Sequence, residues 1–352
     1  MEVADHRVRT LEITYEPPIS DSQYKFSEGR IVYLTIESDT GISGVGFGGV
    51  SQDTLEELVR EEFASRMEAL LGESPFHLLA RMNRPRGGHY HESRFGGPTS
   101  AIDIALWDLC AKHLELPLYA LLGGTDPAVP AYASGLHYSL DDVSTRRWYR
   151  DYAEQGFDAA KVKVGYPTVE EDIQRLRLVK EAMGGCPTLL VDANEAWSPK
   201  EAIRRLYAYR DAGLDIHWVE DPILRDDLEG HRRIAEQVPF THLNVGEYVN
   251  FEAKRELLEH RAADILHLSR GYLTTALREV TLASAYGVPV AFHDTIGHVC
   301  IHLAAAVPEL AYFEYWPRPW DDLMSDPLTI EDGQAFAPGG PGHGVTIPES
   351  AF

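Results

Sequence analysis

The sequence predicts an α/β protein: a (β/α)8-type barrel, or modified TIM barrel, with an α+β capping domain formed by the N-terminal segment and the C-terminal tail. Three observations predict it. Short apolar runs alternate with amphipathic helical patterns through most of the chain, as repeated βα units of a parallel sheet do. Strand-like segments recur near residues 131, 161, 189, 217, 243, 264, 289 and 311, a spacing that suits eight such units. A run of breakers, Leu122-Gly123-Gly124-Thr125-Asp126-Pro127, separates this region from an N-terminal part with another pattern. At 352 residues the chain has room for a barrel and a smaller companion.

In the N-terminal part, Ile31-Val32-Tyr33-Leu34-Thr35-Ile36 alternates like a strand, Ser38-Asp39-Thr40-Gly41 makes a turn, and a second run follows from Ile42 to Phe47. Helical spacing of apolar residues then appears from Thr54 to Leu71 and from Ser100 to Leu114, where Ile102, Ala105, Leu106 and Leu109 share a face. The expected division is a capping domain over 1–125, a barrel over 126–325 and a tail over 326–352 that packs back on the cap. Within the barrel, the strand Ala160–Val164 leads to a helix from Val169 to Met183, and the next strand is Thr188–Val191.

Charge narrows the range of partners. With 55 acidic against 32 basic side chains, a formal charge of -23 repels nucleic acid and anionic membranes. No apolar stretch approaches the ~20 residues of a membrane span, and the polar start Met1-Glu2-Val3-Ala4-Asp5-His6 lacks a secretion signal, so a cytoplasmic protein is expected. Cys110, Cys186 and Cys300 are odd in number and far apart, and they read as small buried hydrophobes. A small-molecule carboxylate, if that is the ligand, meets the same repulsion. Its site in so acidic a chain needs local positive charge, which a divalent cation would supply.

Barrel chemistry sits at the C-terminal ends of the strands. Lys161 and Lys163 end the second strand, Asp192 the third, Glu220 the fourth and Glu247 the fifth. The steps from 163 to 192, 192 to 220 and 220 to 247 are 29, 28 and 27 positions, one βα unit each, which brings three carboxylates to one rim. Unrelated acidic loop residues would not share that register. Converging carboxylates repel unless a cation binds them, and oxygen-only ligands favour a hard ion, magnesium (Mg2+) before calcium or manganese. Lys161 and Lys163 flank Val162 and so point to one face, here inward, where burial is expected to depress a lysine pKa toward base work.

These residues carry a resemblance. Ala160-Lys161-Val162-Lys163-Val164-Gly165, Val191-Asp192-Ala193-Asn194, Trp218-Val219-Glu220-Asp221-Pro222 and Val245-Gly246-Glu247 resemble the lysine and metal-ligand motifs of the enolase superfamily, mandelate racemase subgroup. The likeness extends to Ala101-Ile102-Asp103-Ile104-Ala105-Leu106-Trp107-Asp108, to Leu121-Leu122-Gly123-Gly124, to Gly165-Tyr166-Pro167 and to Leu228-Glu229-Gly230-His231-Arg232. It implies an enzyme in which magnesium, held by Asp192, Glu220 and Glu247, and Lys161 bind a substrate carboxylate while Lys163 acts as acid or base on the α-carbon. It further implies that His293, after Val288-Pro289-Val290-Ala291-Phe292, is the acid or base of the opposite face, and that Glu314 and Asn194 bind substrate. Glu314 can also be read as a structural carboxyl. Homo-oligomers, dimers or octamers, belong to the same implication.

Specificity is expected in the cap, where Tyr24 and Lys25 lie on a loop between strands and Gly88-His89-Tyr90-His91 forms a polar aromatic cluster; ordinary surface loop is the other reading. His298 and His302 read as packing or surface residues. The sequence also departs from its relatives: Ala263-Asp264-Ile265-Leu266-His267-Leu268-Ser269-Arg270-Gly271 is about three residues short and lacks the aspartate that orients the histidine of the subgroup. Asp264 comes too early in its strand, and Asp294, adjacent to His293, faces the other way. Without that carboxylate His293 serves better as an acid than as a base. That favours dehydration or cycloisomerisation over two-way racemisation, and of these the resemblance implies dehydration of a sugar acid as the commoner outcome in the subgroup. The alternatives are a cycloisomerase or racemase of a related hydroxy acid or lactone, and a non-catalytic carbohydrate-binding relative.

Overall fold

A computed structural model describes residues 1–50, 56–83, 97–185, 187–268, 273–293, 298–319, 321 and 328–351. The alternating N-terminal run is the middle of an antiparallel sheet, β1 (Val3–Ser20), β2 (Lys25–Ser38) and β3 (Ser43–Val50), in that order. Ile31, Val32, Tyr33, Leu34 and Ile36 of β2 are all buried, because helices cover one face of the sheet and the barrel lies against the other. The helices are α1 (Glu56–Glu68), α2 (Pro75–Met82), α3 (Gly97–His113) and the single turn α4 (Leu118–Leu121). Helix α3 crosses β3 so closely that a Cβ on Gly44 or Gly46 would lie 2.2 Å from Ala105 O or 1.9 Å from Ala101 O. Only glycine permits that approach. Ile102, Ala105, Leu106 and Leu109 fill the cap core from α3, as the helical spacing predicts, while Ile104 faces the barrel.

From Ala128 onward the chain builds the barrel: β4 (Ala128–Ser134), α5 (Asp142–Glu154), β5 (Ala159–Lys163), α6 (Val169–Ala182), β6 (Thr188–Asp192), α7 (Pro199–Asp211), β7 (Ile216–Glu220) and α8 (Leu228–Gln237). It continues with β8 (His242–Val245), α9 (Phe251–Glu259), β9 (Ile265–His267), α10 (Leu273–Tyr286), β10 (Val290–Phe292), α11 (Cys300–Ala304) and β11 (Leu310–Tyr315). The strands pair in parallel in chain order, and β11 closes on β4 through Phe313 with Ala131, Glu314 with Tyr132, and Tyr315 with Ala133. Six of the eight strand positions read from the sequence fall within strands, and the other two, 264 and 289, lie one residue before β9 and β10. Several helices start with a side-chain cap: Asp141, Thr168, Ser198, Asp227 and Asn250 each accept from the backbone N–H three residues on.

A hairpin of β12 (Thr329–Glu331) and β13 (Gln334–Phe336) adds antiparallel to β4. The tail then reaches the cap, where His343 N donates to Asp108 Oδ1 at 2.9 Å, His343 Nε2 to Val45 O at 2.7 Å, and Leu118 N to Gly342 O at 2.7 Å. His302 Nε2 donates to His343 O at 3.0 Å and its Nδ1 accepts from Tyr119 N at 3.2 Å, the packing role expected of it. Cys110 and Cys300 are buried, and Cys186 lies outside the described residues. Among the described residues no helix is long and apolar enough to cross a membrane.

Candidate active site at the barrel mouth

Strand alternation arranges the barrel interior in two tiers. Tyr132, Ala159, Leu190, Trp218, Ile265 and Ala291 form an apolar floor, in which the Tyr132 and Trp218 rings meet edge to face at 5.4 Å. Two residues further along the same strands come Ser134, Lys161, Asp192, Glu220, His267 and His293, with Glu314 two beyond Tyr312 on β11. This second tier is the mouth. Its polar groups are buried above an apolar layer, so their interactions are strong and their unpaired states costly.

Lys161, 1% exposed, is the hub. Its Nζ lies 2.7 Å from Glu314 Oε1, 3.3 Å from Asp192 Oδ2 and 3.3 Å from Glu220 Oε1. Burial pulls its pKa down, but Glu220, Glu314 and Asp192 outweigh burial and raise it well above the ordinary lysine value. The depressed pKa expected from the sequence is thus overturned for Lys161: carboxylates from three other strands stabilise its charge. Lys163, on the same inward face, donates to Asp192 Oδ2 at 2.6 Å and to Asn194 Oδ1 at 2.7 Å.

His293 is placed by carboxylates that the sequence reading did not pair with it. Its Nδ1 lies 3.3 Å from Glu314 Oε2 and its Nε2 3.1 Å from Glu247 Oε1. Asp264 is exposed and accepts from Leu243 N at 2.8 Å, so it is indeed out of reach, and Asp294 lies outside the described residues. The sixth-strand residue facing His293 is His267, with the two rings 6.2 Å apart. Burial brings the His267 pKa down to about 3 against the opposing pull of Glu247, so its imidazole is neutral. Glu314 also accepts from Ser134 Oγ at 2.6 Å. Burial opposes its ionisation, yet Lys161, then His293, hold its carboxyl well below the usual range. Lys163, Asp192, Lys161, Glu314 and His293 therefore form one continuous chain of contacts across the mouth.

The three carboxylates predicted to bind metal all face this space. Among the described residues no three acidic or histidine side chains already form a cage, because Lys161 stands between Asp192 and Glu220 while Glu247 turns to His293. The electrostatics nonetheless favour a cation. Burial, then repulsion from Asp192, push Glu220 well above the usual carboxyl range, with Lys161 offsetting only part. Burial also works against ionised Asp192, and Lys163 and Lys161 more than reverse it. Asp192, Glu220 and Glu314 share the Lys161 ammonium, with Lys163 on Asp192 and His293 between Glu314 and Glu247, so the acidic cluster is short of positive charge. A divalent ion would supply it, and an all-oxygen donor set suits a hard one.

Of the expected cap residues, Tyr24 is 71% exposed and Lys25 is exposed at the start of β2. The neighbour that reaches the barrel rim is Gln23, whose Nε2 donates to Asn194 O. No motif marks Gln23, Ser134 or His267; only the inward register of the strands points to the last two. His89 and its cluster lie outside the described residues. His298 is buried just before α11 and meets Asp321 Oδ1 at 2.9 Å.

Residues 144–351 match the family described as enolase C-terminal domain-like, and residues 4–123 match the mandelate racemase / muconate lactonizing enzyme N-terminal domain. The chain is 34% identical to the 3,6-anhydro-alpha-L-galactonate cycloisomerase of Streptomyces coelicolor over 74% of its length and 71% of that protein's. With the L-talarate/galactarate dehydratase of Salmonella typhimurium the identity is 32%, over 95% of this chain and 86% of the other. The solved L-talarate dehydratase of Polaromonas sp. JS666, complexed with Mg and L-glucarate, superimposes with a TM-score of 0.87 at 28% identity, covering 99% of this chain and 96% of that one.

Proposed function

The chain belongs to the mandelate racemase/muconate lactonizing enzyme family of the enolase superfamily, and from that premise we propose that it is a magnesium-dependent sugar-acid dehydratase, acting on an aldonate or aldarate. The observation that carries this reading is the chain of contacts with Lys163 at one end and His293 at the other, on strands three places apart around a ring of eight. A base and an acid at the two ends of a carboxylate-binding centre suit removal of an α-proton and departure of a β-hydroxyl from one substrate.

Asp192, Glu220 and Glu247 would hold the ion. Magnesium, when bound, supplies positive charge next to the substrate carboxylate. Lys161, kept protonated by its neighbours, binds the same carboxylate and stabilises the charge that grows on it as the α-proton leaves. Lys163, in its amine form, takes that proton from the α-carbon. His293 gives a proton to the β-hydroxyl, the C–O bond breaks, and water departs; the enol left behind tautomerises to a 2-keto-3-deoxy acid. Glu314 and Glu247 hold the two nitrogens of His293 in place, and Asn194 holds Lys163. In the cap, Tyr24, Lys25 and His89 are the proposed specificity positions.

The match to a cycloisomerase supports a second reading, intramolecular addition to or opening of a sugar-acid ring with the same acid and base. A library of sugar acids and lactones, assayed in heavy water for α-deuterium incorporation and for 2-keto-3-deoxy acid, decides between them. The expected results are dehydration of at least one acid, no deuterium exchange in Lys163→Ala, and exchange without product in His293→Asn. A wild type that racemises both epimers of one acid equally, or a His293→Asn variant that exchanges nothing, would make His293 a full base and refute the dehydratase assignment.

A further inference from the structure

The cap reaches the proposed base through a residue that no motif marks. The β1–β2 hairpin turns at Asp21, whose carboxylate accepts from Gln23 N at 2.6 Å and Tyr24 N at 2.7 Å, while Asp21 N donates to Tyr24 O at 3.0 Å. This tip is fastened to the loop after β4. Ser20 N donates to Leu136 O at 2.8 Å, Tyr138 N donates to Ser20 O at 3.0 Å, and the hydroxyls of Ser20 and Ser139 meet at 2.9 Å. So anchored, the tip sends the Gln23 amide across to Asn194, where Nε2 donates to the main-chain oxygen at 2.5 Å.

Asn194 accepts from Lys163 through Oδ1 at 2.7 Å, beside Asp192 Oδ2 at 2.6 Å, and its own N–H donates to Asp192 Oδ1 at 3.1 Å. The chemistry of the partners orients both amides, since only an NH2 can meet a carbonyl and only an amide oxygen can meet an ammonium. The backbone here is strained: Asn194 has φ 44° and Glu195 φ 62°. Two successive non-glycine residues in the left-handed region persist only where their surroundings hold them. Glu195 is held by a two-pronged pair with Arg225, at 2.7 Å to Nε and 2.6 Å to an NH2. Asn194 is held from the metal side by Asp192 and from the cap side by Gln23.

We propose that Gln23 is a positioning residue for proton transfer: by fixing the Asn194 carbonyl it sets the amide oxygen that aims Lys163, and so makes the base depend on the docked cap hairpin. This rests on the reading of Lys163 as the base. The geometry carries a specific signature. Glutamate has the shape of glutamine but presents an acceptor to the Asn194 carbonyl, so Gln23→Glu must be worse than Gln23→Ala if the donated hydrogen bond matters, and harmless if Gln23 only packs.

The test has two arms on magnesium-loaded full-length protein. In the first, α-deuterium exchange on the best acid of the library is expected to show kcat lower by about fivefold in Gln23→Ala, the change that one ordinary hydrogen bond supports, and lower still in Gln23→Glu, with KM unchanged. The second arm needs no substrate. Brief acetic anhydride labelling, read by peptide mass spectrometry, is expected to modify Lys163 several-fold faster in both variants while Lys161 keeps its wild-type rate. Wild-type values in Gln23→Glu, a change in KM in place of kcat, or equal gains at Lys161 and Lys163 would overturn the proposal, the last by showing that the hairpin merely lifts. A wild type that exchanges no α-proton of any acid would refute the base assignment, while the labelling arm would still decide whether Gln23 positions Lys163.

Discussion

Replacing Lys161 by methionine keeps most of the side-chain volume and removes the charge that Asp192, Glu220 and Glu314 share. Deleting one partner of a buried ionic cluster leaves the others uncompensated, at a cost of about 3–5 kcal/mol. In chelator the variant should therefore melt lower, by roughly 6–10 °C at about 2 °C per kcal/mol. Added magnesium should then separate the two proteins in the opposite sense. In the wild type an incoming ion competes with an ammonium that lies 3.3 Å from both Asp192 and Glu220, whereas in the variant that competitor is gone and only Lys163 remains on Asp192. The gross attraction at that distance is about 5 kcal/mol per pair at an effective dielectric constant of ~20. If even a quarter of one such pair survives as a net effect, magnesium binds the variant about tenfold more tightly, and saturating metal returns about 1.4 kcal/mol more stability than it gives the wild type. Scanning calorimetry over a magnesium titration, with EDTA as the zero point, measures both quantities. An unchanged melting point in EDTA, or a smaller magnesium response in Lys161→Met than in the wild type, would show that Lys161 does not share its space with the cation.

The carboxylates themselves give a second test: Asp192→Asn, Glu220→Gln and Glu247→Gln should each remove the calorimetric magnesium response and all turnover while leaving the far-ultraviolet circular dichroism unchanged, and full activity in any two of them would refute the metal assignment. A third prediction concerns the joint between cap and barrel, where Asp103 of α3 accepts from Thr274 N at 3.0 Å and from the Thr274 hydroxyl. Burial pushes the Asp103 carboxyl up from 3.8 to about 6 against those hydrogen bonds. Between those values the folded state holds a proton that the unfolded state has released, so stability falls as pH rises through this window, by about 3 kcal/mol in all. Urea unfolding of the wild type and Asp103→Asn at pH 4 and pH 7 should show the wild type losing roughly 2–2.5 kcal/mol more than the variant, since the unfolded carboxyl is already partly ionised at pH 4, and parallel pH dependences would refute the assignment.

The positions of the eight barrel strands were legible because each is a local pattern, a short apolar run between turn signals and an amphipathic helix. The tiered mouth was legible for the same reason. A strand that places Ala159 inward must place Lys161 and Lys163 inward as well, and the same alternation carries Leu190 to Asp192 and Trp218 to Glu220. Periodicity thus determined which side chains enter the site and at which end of the barrel.

Only the tertiary structure decided what those side chains do to one another. The expectation of a depressed lysine pKa followed from burial alone and reversed for Lys161, because the carboxylates that stabilise its charge come from β6, β7 and β11. In the sequence neither the sixth strand nor the adjacent Asp294 offers His293 a partner; its partners, Glu247 and Glu314, stand on either side of it in the chain and meet it only when the barrel closes. Gln23 and Asn194 are 171 positions apart and carry no shared pattern. Facing direction is set by the alternation of one strand and can be read in one dimension. A pKa, an orienting hydrogen bond or a latch depends on distances of about 3 Å between residues far apart in sequence, and those distances exist only after β11 has paired with β4 and the cap hairpin has docked.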